Sequence, residues 1–290
     1  MRILMTGHLG QLAADLKGVF AGDELILTEI EDLRLEDAGR VREFVLASQP
    51  ELILNCAAYN RVDEAEDAPE AAFAANTFAV RNLALAAREC GAEMVHFSTD
   101  YVFDGPGRRP YTEDDAPCPK SVYGVSKAAG ELMLQATWER HYICRVCGLY
   151  GYAGSRDKGS NFVETMIGLG RKGRPLKVVD DQVLTPTSTL DVARAVKSLI
   201  GTGRYGLYHM TSEGECSWYD FAKAIFAEAG MEVEVAPVGS EAYPAKARRP
   251  RYSALDNRRL REVGLGEMPH WRAALREYLR GRRDSVLGTD

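Results

Sequence analysis

The chain has 290 residues, of which 46% are hydrophobic and 27% charged, and its net charge is −6. This composition is typical of a folded globular protein and excludes a mainly disordered chain. The negative charge gives no general support to nucleic-acid binding. No apolar stretch approaches the roughly 18 residues that a membrane span needs, and residues 1–7 do not resemble a signal peptide. We therefore predict a cytoplasmic protein that binds neither nucleic acid nor membrane.

Short apolar runs alternate with amphipathic segments through the first half of the chain. The pattern predicts strands at 2–6, 24–29, 52–57, 93–98 and 142–150, and helices at 11–20, 37–48, 69–90 and 121–139. Such alternation is typical of βαβ units on a parallel sheet. The predicted fold class is α/β, a Rossmann-type doubly wound parallel sheet.

The second half is less regular. It predicts helices at 161–169, 190–200, 218–229 and 271–280, a short strand at 177–179, loops at 151–159 and 242–250, and a frayed tail from Arg282. The composition changes near Tyr150. We predict a dinucleotide-binding domain at 1–150, to which 176–205 returns, and a smaller mixed α/β substrate domain formed by 151–175 and 206–290.

The six cysteines do not form a dense disulfide framework in a chain of this length. Cys144 and Cys147 have the spacing of a metal or redox motif, but they fall in a predicted strand, where residues three apart point to opposite faces. We predict buried structural thiols and no metal site.

A glycine turn follows the first predicted strand and begins a helix, in the run Thr6-Gly7-His8-Leu9-Gly10-Gln11-Leu12-Ala13. Glycines at such a turn let the backbone approach a pyrophosphate, and the helix N-terminus supplies partial positive charge. Glu29 ends the second strand, where a carboxylate can accept hydrogen bonds from ribose hydroxyls, which favours NAD. Arg34 lies near enough in sequence to attract the 2′-phosphate of NADP, so the preference stays open.

Tyr123 and Lys127 are four residues apart at the start of a predicted helix, so they share one face. The ordinary pKa of tyrosine is about 10, and a nearby ammonium group is expected to lower it. Thr99 ends the fourth strand, where loops of an open α/β sheet carry chemistry. Its hydroxyl has two uses: to hydrogen-bond a substrate oxygen beside Tyr123, or to bond its own turn backbone.

Together these motifs resemble the extended short-chain dehydrogenase/reductase superfamily and, within it, the dTDP-4-dehydrorhamnose reductase family. The matching residues span most of the chain. They include the glycine turn, Asn55–Tyr59, Val62-Asp63, Glu66, Asn76, Ser98–Gly105, Tyr123-Gly124, Lys127, Gly130-Glu131, Asn161-Phe162, Asp181-Gln182, Pro186-Thr187, Gly206–His209, Trp218, Asp220 and Arg249-Pro250.

The resemblance implies NADPH- or NADH-dependent reduction of the C4 ketone of a nucleotide sugar, dTDP-4-dehydro-L-rhamnose, to dTDP-L-rhamnose. Tyr123 would protonate the oxygen, Lys127 would bind the nicotinamide ribose, and Thr99 would orient the carbonyl. It places Gly7, His8, Leu9, Gly10, Gln11, Leu12, Glu29, Arg34, Leu35, Ala57, Ala58, Tyr59, Asn76, Ser98, Tyr123 and Lys127 at the cofactor. It places Val62, Thr99, Asp100, Tyr101, Val102, Phe103, Asn161 and Arg249 at the substrate. A homodimer is a possible assembly.

One departure from the family pattern bears on the substrate: Gly148 stands where a tryptophan is usual, which suits a reductase for a different 4-keto sugar. Leu184 also departs from the pattern, since a glycine is usual at its position. An epimerase also stays open, whereas a dehydratase is disfavoured because Asp100 is followed by Tyr101 rather than by an acidic residue. A third alternative is a cofactor-holding regulatory subunit without turnover, like that of methionine adenosyltransferase.

Overall fold

The computed structural model describes residues 1–106, 109–154 and 159–287, with side chains described as far as Arg282. In these ranges the strands are β1 (Arg2–Thr6), β2 (Glu24–Thr28), β3 (Leu52–Asn55), β4 (Glu93–Thr99), β5 (His141–Val146), β6 (Leu149–Tyr150), β7 (Leu176–Val179), β8 (Val183–Leu184), β9 (Thr187–Ser188), β10 (Gly206–His209), β11 (Cys216–Ser217) and β12 (Val235–Val238).

Except for a short helix at Arg258–Glu262, which was not predicted, the helices follow the predicted segments. They are α1 (Gln11–Val19), α2 (Ala38–Ser48), α3 (Pro69–Phe73), α4 (Ala79–Cys90), α5 (Val122–Thr137), α6 (Phe162–Gly170), α7 (Thr189–Ile200), α8 (Trp218–Ala229), α9 (Arg258–Glu262) and α10 (Trp271–Leu287). Three-residue 3₁₀ turns lie at Glu64–Glu66, Asp100–Val102 and Ser240–Ala242.

Six parallel strands form the main sheet in the order β2-β1-β3-β4-β5-β10. β2 lies on one side of β1, and β3 lies on the other side. The direction in which strands are added therefore reverses between β1 and β3. In an open α/β sheet, ligands bind outside the carboxyl ends of the strands at such a point. The predicted fold class is confirmed.

Apolar side chains cover both faces of the sheet. One face carries alternate β1 residues, Ile3 and Met5, packed with helices α1 and α7. The opposite face carries Leu4 and Ile53, packed with helices α2, α4 and α5. Burial on both faces explains why these strands are nearly continuous apolar runs rather than alternating ones.

A separate core joins helices α6, α8 and α10 through residues such as Val163, Phe221 and Trp271. Two segments lie elsewhere than predicted. Residues 206–209 form β10 at the edge of the main sheet rather than part of the smaller domain, and β7, within 176–205, pairs with β12 and packs in the smaller core. We propose that the dinucleotide-binding unit contains 1–146 with α7 and β10, and that the smaller unit forms around the separate core.

Several predicted elements are divided or displaced. The helix predicted at 69–90 is α3 and α4 joined by a π-helical turn at Ala74–Phe78. The strand predicted at 142–150 ends at Val146, because Gly148 has a positive φ of 53° that an extended strand does not allow. Helix α10 continues to Leu287, beyond the predicted end near residue 280. Part of the loop predicted at 151–159 lies outside the described residues.

All six cysteines are unpaired by disulfides, and Cys144 and Cys147 are both buried, as predicted. Burial raises the pKa of both thiols, which makes them unreactive. Across the ranges described above, no group of three or more His, Cys, Asp or Glu side chains is placed to hold a metal ion. In the same ranges no helix combines the length and the apolar character needed to cross a membrane.

Candidate active site

The glycine turn between β1 and α1 lies against the end of β3. Gly7 has a φ of 65°, and a Cβ built on it would lie 2.7 Å from the backbone nitrogen of Ala57. Only glycine satisfies both the conformation and this close approach. Gly10 precedes α1 and has no side chain to occupy the free N–H groups of the first turn. The turn is therefore open to an anionic group at the helix N-terminus.

A cavity of about 570 Å³ lies at this turn, at the switch point between β1 and β3. Eight of the residues predicted to bind a cofactor line it: Gly7, Gly10, Gln11, Glu29, Leu35, Ala57, Ala58 and Tyr59. Gln11 Oε1 and His8 Nδ1 are buried here without a hydrogen-bond partner in the described part of the chain. Buried polar atoms of this kind indicate that a polar ligand or water belongs in the site.

Other predicted cofactor residues lie around the cavity rather than in its lining. Leu12 is buried in the core beneath the turn, and Leu9 is exposed. Arg34 is exposed and lies in a neighbouring groove with Asp37 and Arg40. Ser98 is buried, and its hydroxyl has no partner among the described residues.

Glu29 connects the end of β2 to the glycine turn. Its Oε1 accepts a hydrogen bond from the Leu9 backbone N–H at 2.7 Å. Glu31 and Glu36 also line the cavity, and Arg61 contributes a guanidinium group. Carboxylates therefore outnumber cations in the lining near the end of β2. Their negative charge repels a ligand phosphate at this end of the cavity.

Asn76 lies in the π-helical turn and is fully buried. Its amide bonds both the N–H and the C=O of Tyr59 at 2.9 Å, and its Nδ2 donates to the Ser126 hydroxyl at 3.0 Å. These bonds use the side chain within the protein, so Asn76 holds the Tyr59 loop against α5 instead of facing the cavity. A π-helical turn often marks a functional position in a helix.

Tyr123 and Thr99 meet at the carboxyl end of β4. Thr99 lies close enough to the phenol to lower the pKa of Tyr123, against the larger effect of burial. The Thr99 hydroxyl also accepts from the Tyr101 N–H at 3.2 Å and donates to Asp100 Oδ1 at 3.1 Å. Of the two uses foreseen for Thr99, the bond to its own turn backbone is confirmed, and the hydrogen bond to a substrate oxygen stays a prediction.

Lys127 is 2% exposed, and its ammonium group donates to the Phe97 carbonyl at 2.5 Å. Burial lowers its pKa to about 8, opposed by Glu131. Burial raises the pKa of Tyr123 to about 12, and the negative charge of Asp100 adds to this. The prediction that Lys127 lowers the pKa of Tyr123 is wrong for this arrangement, because burial disfavours the phenolate and the ammonium group bonds a backbone carbonyl instead.

Arg249 reaches the site from the loop before Pro250. Its guanidinium group makes a paired hydrogen-bonded salt bridge with Asp63, at 3.1 and 2.6 Å. This pairing lowers the pKa of Asp63, and Arg249 also lies beside the Tyr101 hydroxyl. Val62, the neighbour of Asp63, is half-buried. The loop at 242–250 is thus fastened to the segment after β3.

Three residues predicted at the substrate have structural partners. Val102 and Phe103 are buried in a small core with Leu255, and Phe103 stacks on Tyr111 with ring centres 4.1 Å apart. Asn161 caps α6 by accepting from the Glu164 N–H at 3.0 Å, and its Nδ2 donates to the Gly151 carbonyl at 2.8 Å. Their side chains therefore support the fold around the site, because packing or capping already occupies them.

Other residues position the site although they were not among its predicted members. Glu66 accepts a hydrogen bond from the Val122 N–H at 2.8 Å and so fixes the start of α5 beside Tyr123. A row of small side chains in the lining, Ala71, Ala74 and Ala75, gives the cavity its width. Their spacing on one helix face after β3 is a signal that the sequence does carry.

Gly148 and Leu184, which both depart from the family pattern, lie next to each other. A Cβ built on Gly148 would lie 2.8 Å from Leu184 Cδ1 and 3.2 Å from the Pro186 Cα. Val146, two residues before Gly148, pairs with Thr99 on the neighbouring strand, so Gly148 lies just beyond the strand next to Thr99. A larger side chain at 148 therefore requires a smaller one at 184.

Comparison with known proteins agrees with this geometry. The family model "RmlD substrate binding domain" matches residues 1–283. The spore coat polysaccharide biosynthesis protein SpsK of Bacillus subtilis is 41% identical over 97% of this chain and 98% of its own. A dTDP-4-keto-6-deoxy-D-glucose reductase of Streptomyces niveus is 38% identical over 94% of this chain and 95% of its own.

Among solved structures, dTDP-4-dehydrorhamnose reductase from Bacillus anthracis in complex with NADP superposes with a TM-score of 0.92 at 37% identity. The match covers 97% of this chain and 99% of the other. The fold and the glycine turn are thus accompanied by similarity over nearly the whole length of the chain. The chain belongs to the RmlD substrate binding domain family, the dTDP-4-dehydrorhamnose reductase family of NAD(P)-dependent oxidoreductases.

Proposed function

We propose that this protein reduces the C4 ketone of a dTDP-4-dehydro-6-deoxyhexose with NADPH or NADH, dTDP-4-dehydro-L-rhamnose being the foremost substrate. The observation that carries the proposal is the placement of Thr99 at the end of β4, with Tyr123 near it at the start of α5, at the same edge of the sheet as the glycine-turn cavity. A non-catalytic cofactor-binding subunit does not need a phenol held at the carboxyl end of β4. The Bacillus anthracis relative with bound NADP supports the choice of cofactor.

The residues present fit a dinucleotide. Gly7 closes the turn where a Cβ would strike Ala57, and the first turn of α1 is open to a pyrophosphate. The cavity of about 570 Å³ extends from this turn to the end of β2, where Glu29 can accept from ribose hydroxyls. The nicotinamide, when bound, supplies the hydride that reduces the C4 carbon.

Tyr123 supplies the proton in this proposal. Its raised pKa keeps the phenol protonated throughout the neutral range, so it is ready to act as an acid. The phenol O–H bond breaks as the new O–H bond forms at the sugar oxygen, and the phenolate then regains a proton from water. Lys127 is placed by α5 on the same side as Tyr123, and we propose that its ammonium group leaves the Phe97 carbonyl to hold the nicotinamide ribose.

A panel of nucleotide-4-keto sugars tests the proposal. Each sugar is generated in the assay and incubated with the protein and NADH or NADPH, and cofactor oxidation is followed by absorbance. Oxidation with a dTDP-4-keto sugar and recovery of the reduced sugar are expected. A lack of oxidation across the whole panel, together with stoichiometric co-purification of an enzyme partner, would favour the regulatory alternative instead.

Cofactor preference gives a first prediction. Glu29→Ala removes a carboxylate that repels a 2′-phosphate and accepts from ribose hydroxyls. A hydrogen bond to a charged group contributes about 1.5–3 kcal/mol, so NADH should bind roughly 10–100-fold more weakly. NADPH should lose less, so that the affinity ratio moves toward NADPH. Calorimetric titration of both cofactors measures the ratio.

The matched control is Glu43→Ala, which removes an exposed carboxylate from α2 away from the cavity. It should leave both dissociation constants unchanged. If Glu29→Ala also left the NADH-to-NADPH ratio unchanged, the proposed ribose contact would be wrong.

A second candidate function is reduction of a different 4-keto sugar, and the contact between Gly148 and Leu184 favours it. The Streptomyces niveus relative, which is named a dTDP-4-keto-6-deoxy-D-glucose reductase, supports this candidate. Leu184 fills space that a large side chain at 148 would otherwise enter. The sugar would then meet a leucine where the family pattern stated above has an indole.

This pair gives a second prediction. Gly148→Trp alone should lower the melting temperature and activity, because its Cβ would strike Leu184 in a backbone conformation that disfavours any side chain. Gly148→Trp with Leu184→Gly should recover a part of the lost stability and change the relative rates on the sugar panel. Equal stability of the single and double variants would contradict the packing argument.

The cytoplasmic location and the homodimer remain predictions.

A further inference from the structure

Arg145 lies near the carboxyl end of β5 with its guanidinium group buried. Its side chain is 4% exposed, and so is that of its partner Glu131 on α5. Arg145 Nε and Nη2 donate to the two carboxylate oxygens of Glu131 at 2.9 and 2.7 Å. Arg145 Cζ also lies over the ring of Phe103, 5.1 Å from the ring centre. One buried side chain thus contacts both helix α5 and the segment that follows β4.

His209 on β10 completes the surroundings of this guanidinium group. Arg145 Nη1 lies 3.4 Å from His209 Nε2. His209 Nδ1 lies 3.0 Å from the carbonyl oxygen of Tyr111 and 3.2 Å from that of Asp256. Carbonyl oxygens only accept hydrogen bonds, so Nδ1 carries the ring proton and Nε2 accepts from Arg145. Burial lowers the pKa of His209 to about 3, which keeps the ring neutral in the neutral pH range.

The two elements that Arg145 joins are those that carry Thr99 and Tyr123. Thr99 ends β4, and Phe103 directly follows the 3₁₀ turn after it. Glu131 comes about two helical turns after Tyr123 within α5. Contacts of a single buried side chain with both elements therefore restrict movement of the helix relative to the turn.

Stability alone does not call for a buried ion pair at this place. Removing two charged groups from water is costly, and well-packed apolar side chains of similar size often give equal or greater stability. Apolar side chains cannot supply direction, however. A planar guanidinium group paired with both oxygens of a carboxylate is fixed in distance and in orientation. The geometry of Arg145 and Glu131 therefore suits a positioning role.

We propose that Arg145 is a positioning residue: through Glu131 and Phe103 it sets the placement of Tyr123 on α5 relative to Thr99 at the end of β4. The effect on turnover rests on the proposed function, whereas the placement of Tyr123 is a property of the ligand-free chain. Arg145 lies outside the lining of the glycine-turn cavity, so cofactor binding should not depend on it.

Replacing Arg145 and Glu131 together by methionine tests the proposal. The double variant Arg145→Met with Glu131→Met removes both charges and keeps unbranched side chains of similar length. Its melting temperature should stay close to that of the wild type, and so should the dissociation constants of NADH and NADPH. We expect kcat to fall about tenfold or more, since a displacement of about 1 Å at reacting groups can lower a rate roughly 100-fold. A wild-type kcat in the folded double variant overturns the proposal.

Fluorine NMR of protein labelled with 3-fluorotyrosine tests the placement without substrate. The signal of Tyr123 is the one absent from Tyr123→Phe, and that of Tyr205 is the one absent from Tyr205→Phe. Tyr123 should give one sharp signal in the wild type. In the double variant this signal should split or broaden, because the phenol occupies more than one position, while the signal of Tyr205 stays unchanged. A single sharp Tyr123 signal in the double variant overturns the proposal even if kcat falls.

Arg140→Met with Glu93→Met is the matched control at the amino ends of the same two strands. Arg140 Nη2 donates to Glu93 at 3.2 Å, and Arg140 Nε donates to the Tyr205 hydroxyl at 3.0 Å. In this control the signal of Tyr205 should change, whereas the Tyr123 signal and kcat should be those of the wild type. An equal loss of kcat in both double variants would overturn the proposal, because the loss would then follow from removing any ion pair between β4 and β5.

If the first double variant does not fold, Arg145→Lys takes its place. An ammonium group keeps the positive charge opposite Glu131 but lacks the planar fork that holds both carboxylate oxygens. The same loss of kcat and the same change in the Tyr123 signal are expected, and wild-type values of both overturn the proposal.

The two measurements separate this inference from the proposed function. Absence of cofactor oxidation by the wild-type protein on every nucleotide sugar would remove the proposed function, and the Tyr123 signal would still decide whether Arg145 places the phenol. Wild-type kcat together with a split Tyr123 signal would overturn the role of Arg145 in turnover and leave the proposed function standing.

Discussion

Tyr123→Phe should lower kcat by about 10²–10⁴-fold, the usual contribution of a positioned general acid. The substitution removes one oxygen from a partly buried ring and leaves the edge-on contact with Tyr101, so the fold should be preserved. Cofactor affinity should change little, because the cavity at the glycine turn is lined by other residues. Single-turnover oxidation of NADH or NADPH and separate calorimetric titration of the cofactor measure the two effects.

Tyr205→Phe is the control for this experiment. Its hydroxyl donates to Glu93 at 2.8 Å at the amino end of β4, so the substitution removes a similar oxygen from a position without a proposed role. It should turn over at the wild-type rate. Retention of activity in Tyr123→Phe would mean that the proton comes from another group, and the proposed mechanism would then fail even if the reaction itself were observed.

The parallel sheet could be predicted because its strands are covered on both faces and therefore appear as apolar runs between amphipathic helices. The same reasoning misses β10. This strand is four residues long and pairs with β5 across about 60 residues of sequence, and its backbone pairing leaves no periodic pattern. The π-helical turn at Ala74–Phe78 is also invisible to periodicity, since the apolar residues on either side continue the pattern of a single helix.

Residue type and local spacing predict the glycine turn, whose geometry the structure shows, and they indicate roles for Glu29, Tyr123 and Lys127 that stay predictions. The site was not predictable where partners come from distant segments. The spacing of Tyr123 and Lys127 places them on one face but does not reveal that the ammonium group bonds the Phe97 carbonyl. Likewise Asp63 and Arg249, 186 residues apart, form one ion pair that only the folded chain brings together.

Gly124→Ala should reduce both activity and stability, since this glycine brings the helix of Tyr123 against the turn of Thr99. A Cβ built on Gly124 would overlap the Tyr101 carbonyl oxygen and lie 3.0 Å from the Pro119 Cβ. Neither obstacle is the flexible end of a side chain, so the start of α5 must move. Overpacking of this kind costs about 1–3 kcal/mol, and a displacement of about 1 Å at reacting groups can lower a rate roughly 100-fold. Thermal unfolding and kcat measure the two losses.

Gly168→Ala provides the comparison within the same protein. Gly168 lies in α6, and a Cβ built on it would have open space around it. Alanine in a helix interior is favoured over glycine by roughly 0.5–1 kcal/mol, so this variant should be slightly more stable and fully active. If Gly124→Ala behaved like Gly168→Ala, the close contact between α5 and the turn after β4 would not control the distance from Tyr123 to Thr99. The proton donor would then be held by the Glu66 and Ser121 contacts at the start of α5 instead.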